Sequence, residues 1–135
     1  MRFRSAALGA AGVLLGAALT WCPTAAADPA YIDHVTWAKW GDLSSLRVYP
    51  TDAARAVTRQ PAAGAAADAA WAEVLALAPE ADLPGMRDQF LCHWTFAELT
   101  EPGKVSWNLE PWRPEVSPEV MLGSGCNPGG SEEPF

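Results

Sequence analysis

The sequence predicts a small single-domain α+β protein. An N-terminal β-hairpin and a third strand pack on two or three helices, and one disulfide ties the fold. Three observations carry this expectation. Two stretches rich in β-branched and aromatic residues, 31–40 and 45–49, flank the turn signal Gly41-Asp42. Two apolar stripes at helical spacing follow, one through Trp71 and one through Phe90. A further alternating stretch, 105–109, comes directly after Glu101-Pro102-Gly103-Lys104, where proline presets φ and glycine accepts the positive φ of a type II turn.

The first 27 residues read as a cleaved signal peptide and are set apart from the fold. Arg2 and Arg4 give a positive start, and Ala6 to Leu19 is apolar and uncharged. That run is shorter than the ~20 residues a spanning helix needs. Ala25-Ala26-Ala27 supplies small residues for cleavage after Ala27. Trp21 is bulky where acylation of Cys22 needs a small neighbour, and the two arginines are not adjacent. Neither a lipoprotein nor a twin-arginine route is therefore expected.

Removing 27 residues from 135 leaves 108, Asp28 to Phe135, the size of one domain. All 16 acidic residues remain, and two of nine basic residues leave, so seven positive side chains face sixteen negative ones for a net charge of −9. That field repels phosphate backbones and anionic lipid, so neither nucleic acid nor a membrane surface is expected as a partner. No second apolar stretch is long enough to span a membrane, so insertion after cleavage is not expected either. The expected partner is a protein, a glycan or a small ligand outside the cytoplasm. The expected location is extracellular or cell-envelope associated.

Processing also leaves two cysteines, Cys92 and Cys126. In an oxidising compartment they read as a disulfide. Closing so long a loop contributes roughly 3–4 kcal/mol in the chain-entropy model. Cys92 as a free thiolate nucleophile beside His93 requires an unpaired thiol, and Cys126 argues against it.

Along the mature chain, 31–40 and 45–49 form the hairpin. Pro50 stops the second strand. Thr51 caps a short helix over 52–59, its hydroxyl accepting an early N–H while Asp52 suits the positive helix end. Ala67, Trp71, Val74, Leu75 and Ala78 form one stripe on the next helix, with Asp68 and Glu73 off the stripe and expected in solvent. Pro84 opens another helix, whose apolar face collects Met86, Phe90, Trp94 and Ala97. Cys92 projects to its opposite side. Past Leu91 the pattern also fits a strand, and the helix is expected to run to about Trp94 or Phe96. Val105, Trp107 and Leu109 alternate in the third strand. Ser117-Pro118-Glu119 starts a short helix to Leu122. From about Asn127 the tail is Gly, Pro, Ser and Glu, the composition of a mobile end.

Chemistry-bearing residues are few. His34 and His93 are the only histidines. They can converge with Asp33, Asp42 or Glu98 for acid–base work, but their spacing matches no metal motif and no metal or cofactor is expected. Asp33 and His34 are adjacent in a strand, so they are expected on opposite faces. The six mature tryptophans divide between core and surface. Trp71, Trp94 and Trp107 lie on apolar stripes, whereas Trp40 and Trp112 sit at element ends. In the string Trp107 to Pro114, Asn108, Glu110 and Arg113 can form a polar recognition set, or Glu110 and Arg113 can simply pair. No GxSxG, HExxH, Walker A or GxGxxG string occurs.

The strings Tyr31-Ile32-Asp33-His34, Gln89-Phe90 with Cys92-His93, Trp107 to Pro114 and Cys126-Asn127-Pro128 together span nearly the whole mature chain. In this order they resemble a family of short secreted actinobacterial proteins, mycobacterial in type, catalogued as a domain of unknown function. The resemblance implies export and a single domain, and it carries no activity or site residues. The functional expectation is a non-catalytic extracytoplasmic binding module, with His34, His93, Asn108, Glu110, Trp112 and Arg113 as candidate ligand contacts. The alternative is a secreted hydrolase or toxin-like enzyme using His34 or His93 with a nearby carboxylate.

Overall fold

A computed structural model describes residue 12, residues 16–24 and residues 27–130. The basic start of the signal segment and most of its apolar run lie outside the described residues, as do two of the three alanines of the cleavage motif. Strands β1 (Ile32–Trp40) and β2 (Leu43–Pro50) form the expected hairpin, and β3 (Trp107–Leu109) pairs antiparallel with β2. The sheet order is β1-β2-β3. Between β2 and β3 the chain forms α1 (Asp52–Thr58), α2 (Gly64–Leu77), a 3₁₀ turn (Pro79–Ala81) and α3 (Met86–Thr100). A short α4 (Pro118–Gly123) closes the sequence of elements. No helix of the described residues is long and apolar enough to cross a membrane.

Local chemistry sets the helix ends. Thr51 Oγ1 accepts from Ala54 N at 3.1 Å and Ser117 Oγ from Val120 N at 3.4 Å, as expected of N-caps. Helix α3 begins two residues after Pro84, because Gly85 takes φ 82° at the cap. It then continues through Thr100, so residues 92–98 are helix and not strand. The alternation at Trp94 and Phe96 loses to a stronger pattern: Met86, Phe90, Trp94 and Ala97 turn together into the core.

That core lies between one face of the sheet and helices α2 and α3. Leu46 and Val48 of β2 meet Leu109 and Trp107 of β3 in register, and all four are fully buried. Phe90 sits among aromatic rings, 5.4 Å from Trp71, 6.0 Å from Trp94 and 6.1 Å from Trp107. Trp94 also donates its indole N–H to Ala63 O at 2.9 Å, which ties α3 to the start of α2. The three tryptophans expected in the core are there, each bringing the large area a small domain needs.

Polar contacts fix how the elements meet. Glu73, expected in solvent, instead accepts from the backbone N–H groups of Tyr31 and Ile32, both at 2.8 Å. One α2 carboxylate thereby satisfies two donors at the start of β1. The Gln89 side chain bonds both backbone groups of Glu110, accepting from N at 2.8 Å and donating to O at 2.9 Å. A side-chain amide of α3 thereby satisfies the first backbone donor and acceptor after β3. Cys92 and Cys126 form the expected disulfide, with Cα atoms 5.6 Å apart. It joins α3 to the chain just after α4.

Candidate functional site

Four of the six residues expected to touch a ligand are buried: His93, Asn108, Glu110 and Arg113. The string after β3 is drawn inward by one ion pair. Glu110 Oε2 accepts from Arg113 Nε, with both side chains fully buried. The same guanidinium donates to Pro128 O at 3.1 Å and to Gly130 O at 2.7 Å, and it lies 4.4 Å from the half-buried Trp112 ring. The tail expected to be loose from Asn127 is thus held at its start, with Pro128 fully buried; residues 131–135 lie outside the described residues. Asn108 pairs with Arg47 across the strands and accepts from Ser106 Oγ at 2.9 Å. This constellation is an internal clamp with little surface to offer.

The two histidines have separate settings. His93 is buried, and its Nδ1 bonds Gln89 O at 2.8 Å one turn back. His34 is exposed, and its Nδ1 lies 2.5 Å from Asp33 Oδ2. The expected separation of Asp33 and His34 onto opposite faces fails for a specific reason. The pairing shifts from Ile32↔Pro50 to His34↔Tyr49, a bulge that inserts one residue at Asp33. A bulge breaks the two-residue alternation and re-aims a side chain. The His34 ring also stacks on Tyr49, centroids 4.0 Å apart and planes 13° from parallel.

Glu98, considered as a partner for the histidines, is taken elsewhere. Its carboxylate accepts from Arg55 at 2.5 Å, from Arg59 at 2.8 Å and from Gly103 N at 3.1 Å. Burial pushes its pKa up, but the bonds from Arg59, Arg55 and Gly103 outweigh that and hold it below the ordinary carboxylate value. Arg55 also donates to Lys104 O at 2.6 Å. One buried carboxylate therefore links α1, α3 and the turn before β3.

An open concavity lies elsewhere, between α3 and α4. Its walls are Asp88, Leu91, Cys92 and Phe96 of α3 and Val116, Pro118, Met121 and Leu122, and it holds about 270 Å³. The α3 residues recur at i, i+3, i+4 and i+8, a second stripe on the helix, with Leu91 also packed against the main core. Cys92, Met121 and Cys126 form a small apolar cluster of their own there, with Phe96 and Val116 against it. A smaller, more polar hollow of about 120 Å³, with His93, Thr100 and Lys104 in its wall, lies across Phe96 and Leu122, which border both. Sequence reasoning missed these apolar residues. Their signal was the second stripe itself, 88, 91, 92 and 96, continued by the apolar side chains of 116–122. Among the described residues, no group of three or more His, Cys, Asp or Glu side chains is placed to hold a metal ion.

Fold and site together define a small α+β domain with one disulfide and an apolar groove beside it. The family model "Protein of unknown function (DUF2599)" matches residues 32–129, and the chain belongs to that family. An uncharacterised protein of Mycobacterium tuberculosis is 62% identical over 108 residues, which is 80% of this chain and 72% of that protein. An uncharacterised protein of Mycobacterium bovis matches to the same extent, 62% over 108 residues, 80% of this chain and 72% of its own length. One of Mycobacterium leprae is 45% identical over 102 residues, covering 76% of this chain and 82% of its own. No solved structure matches the chain.

Proposed function

We propose that the protein is exported, loses residues 1–27, and works outside the cytoplasm as a non-catalytic binding module whose ligand seats in the α3–α4 groove. The observation that carries this reading is the contrast between two sets of residues. The polar groups that suit recognition are consumed in buried pairs, Glu110 with Arg113 and Glu98 with Arg55. Apolar side chains, by contrast, are left lining an open groove, and Leu122 of its wall is half exposed. Apolar surface kept open in so small a domain favours a binding role. A disulfide through the wall residue Cys92 fixes the groove's shape before ligand arrives, which reduces the ordering cost of binding. The acidic field continues to exclude nucleic acid.

The test uses the neutral fluorophore N-phenyl-1-naphthylamine, which brightens in apolar surroundings. The mature domain should bind it, and Leu122→Glu should weaken that binding at least tenfold. Leu77→Glu is the matched control, since Leu77 and Leu122 are each 51% exposed and only Leu122 lines the groove. Equal binding by both variants, or none by the wild type, removes the groove as the ligand site.

The Asp33–His34 contact favours a second reading, a hydrolytic enzyme. With Nδ1 turned to the carboxylate, Nε2 is the nitrogen left to act as a base. Hydrolysis of p-nitrophenyl acetate by the mature domain must then exceed that of His34→Ala, and equal rates end this reading.

A further inference from the structure

The groove has a charged end, and that end selects the ligand. We infer that it takes a small amphipathic cation, an apolar chain or ring carrying an ammonium group. This rests on the groove being the ligand site. Among the described residues, Asp88 is the only charged one in its wall. It is exposed, in the first turn of α3, and shows no ion pair, whereas the neighbouring Arg87 is turned to Asp68 at 2.5 Å. A second carboxylate lies at the same end. Glu115 precedes the wall residue Val116, and its Cγ is 3.4 Å from the position a Cβ on Gly85 would occupy, at the cap of α3. Two acidic side chains therefore flank the first turn of α3 beside the groove, and among the described residues its wall holds no basic side chain.

The helix N-terminus itself favours the carboxylates, so their presence alone has a structural reason. What a helix end does not explain is the groove beside them. A neutral apolar ligand satisfies the walls and leaves both carboxylates indifferent. A carboxylate-bearing ligand meets repulsion at this end, in a protein already strongly acidic. An ammonium satisfies both, with its chain against Leu91, Phe96, Met121 and Leu122 and its head at Asp88. The groove's volume, about 270 Å³, lies just under the range of drug-sized pockets, ~300–1,000 Å³, which suits a small molecule in preference to a folded partner.

The experiment displaces N-phenyl-1-naphthylamine with decylammonium, decanol and decanoate, each below its micelle threshold. Decylammonium should compete roughly fivefold better than decanol, the advantage expected of exposed ion pairs, and decanoate should compete worst. The variant Asp88→Asn/Glu115→Gln should bind decanol as the wild type does and lose the preference for decylammonium. Equal competition by the three chains overturns the inference while leaving the groove as the site. A preference that survives in the double variant also overturns it, since the general acidic field is then its source. A tryptic-type peptide ending in lysine that competes better than decylammonium replaces the small amphiphile with a peptide. Failure of the fluorophore to bind the wild type at all removes the groove reading as well.

Discussion

Single residues decide more here than their place in the sequence suggests. Glu98 is the clearest case. Helical spacing puts it one turn past Trp94, and nothing local shows that Arg55 and Arg59 will close on it from α1. Its folded pKa is depressed, so the unfolded chain takes up the proton first as pH falls. The stability it contributes is present above 4.5, the ordinary value, and is lost as pH drops from there through the lower folded value. Glu98→Gln should therefore destabilise the domain at neutral pH by roughly 3 kcal/mol, the lower end for a broken buried pair because Arg59 is half exposed. The gap between variant and wild type should close below pH 4.5. Urea melts at pH 7 and at pH 3 measure both, and a gap of equal size at the two would show that the carboxylate charge is not the cause.

At the scale of elements, the hairpin, the two long helices, the third strand and the disulfide were legible, because each rests on local pattern: turn chemistry, a 3.6-residue stripe, alternation, and the two cysteines that follow residue 27. Partners that depend on two distant elements meeting were not legible. Glu73 of α2, bonded to the start of β1, and Gln89 of α3, bonded just beyond β3, are long-range satisfactions of backbone groups, invisible to periodicity. The bulge at Asp33 was missed because alternation assumes an unbroken ladder. Glu110 and Arg113, read as either a recognition set with Asn108 or a simple pair, are a buried pair in which Arg113 clamps Pro128 and Gly130, while Asn108 accepts from Ser106. The disulfide carries the prediction at this scale. It anchors α4 against α3 in an apolar cluster separate from the main core. Replacing Cys92 and Cys126 with alanine should cost about 3–4 kcal/mol and weaken N-phenyl-1-naphthylamine binding, while circular dichroism of α2 and α3 persists. Unchanged binding in the double variant would show that α4 holds the groove wall without the crosslink.

For the whole molecule, the question is where the folding unit begins. Among the described residues before Tyr31, residue 12, residues 16–24 and residues 27–30 are all exposed. The first anchored backbone is at Ala30, whose carbonyl accepts from Thr51 Oγ1 at 2.7 Å. Tyr31 and Ile32 follow, both donating to Glu73, and Ile32 is buried in the core. Stability should thus be indifferent to removal of residues 1–27 and sensitive just beyond them. Chains starting at Asp28 and at Met1 should share one unfolding midpoint, while a chain starting at Asp33 should melt lower. That shorter chain strips Glu73 of both donors, which leaves a partly buried carboxylate short of partners, and it removes a buried isoleucine. Thermal melts of the three chains, followed by tryptophan fluorescence, check this. A lower midpoint for the chain from Asp28 than for the full chain would mean that the leader packs on the domain, and that cleavage after Ala27 is not a step the fold is built to survive.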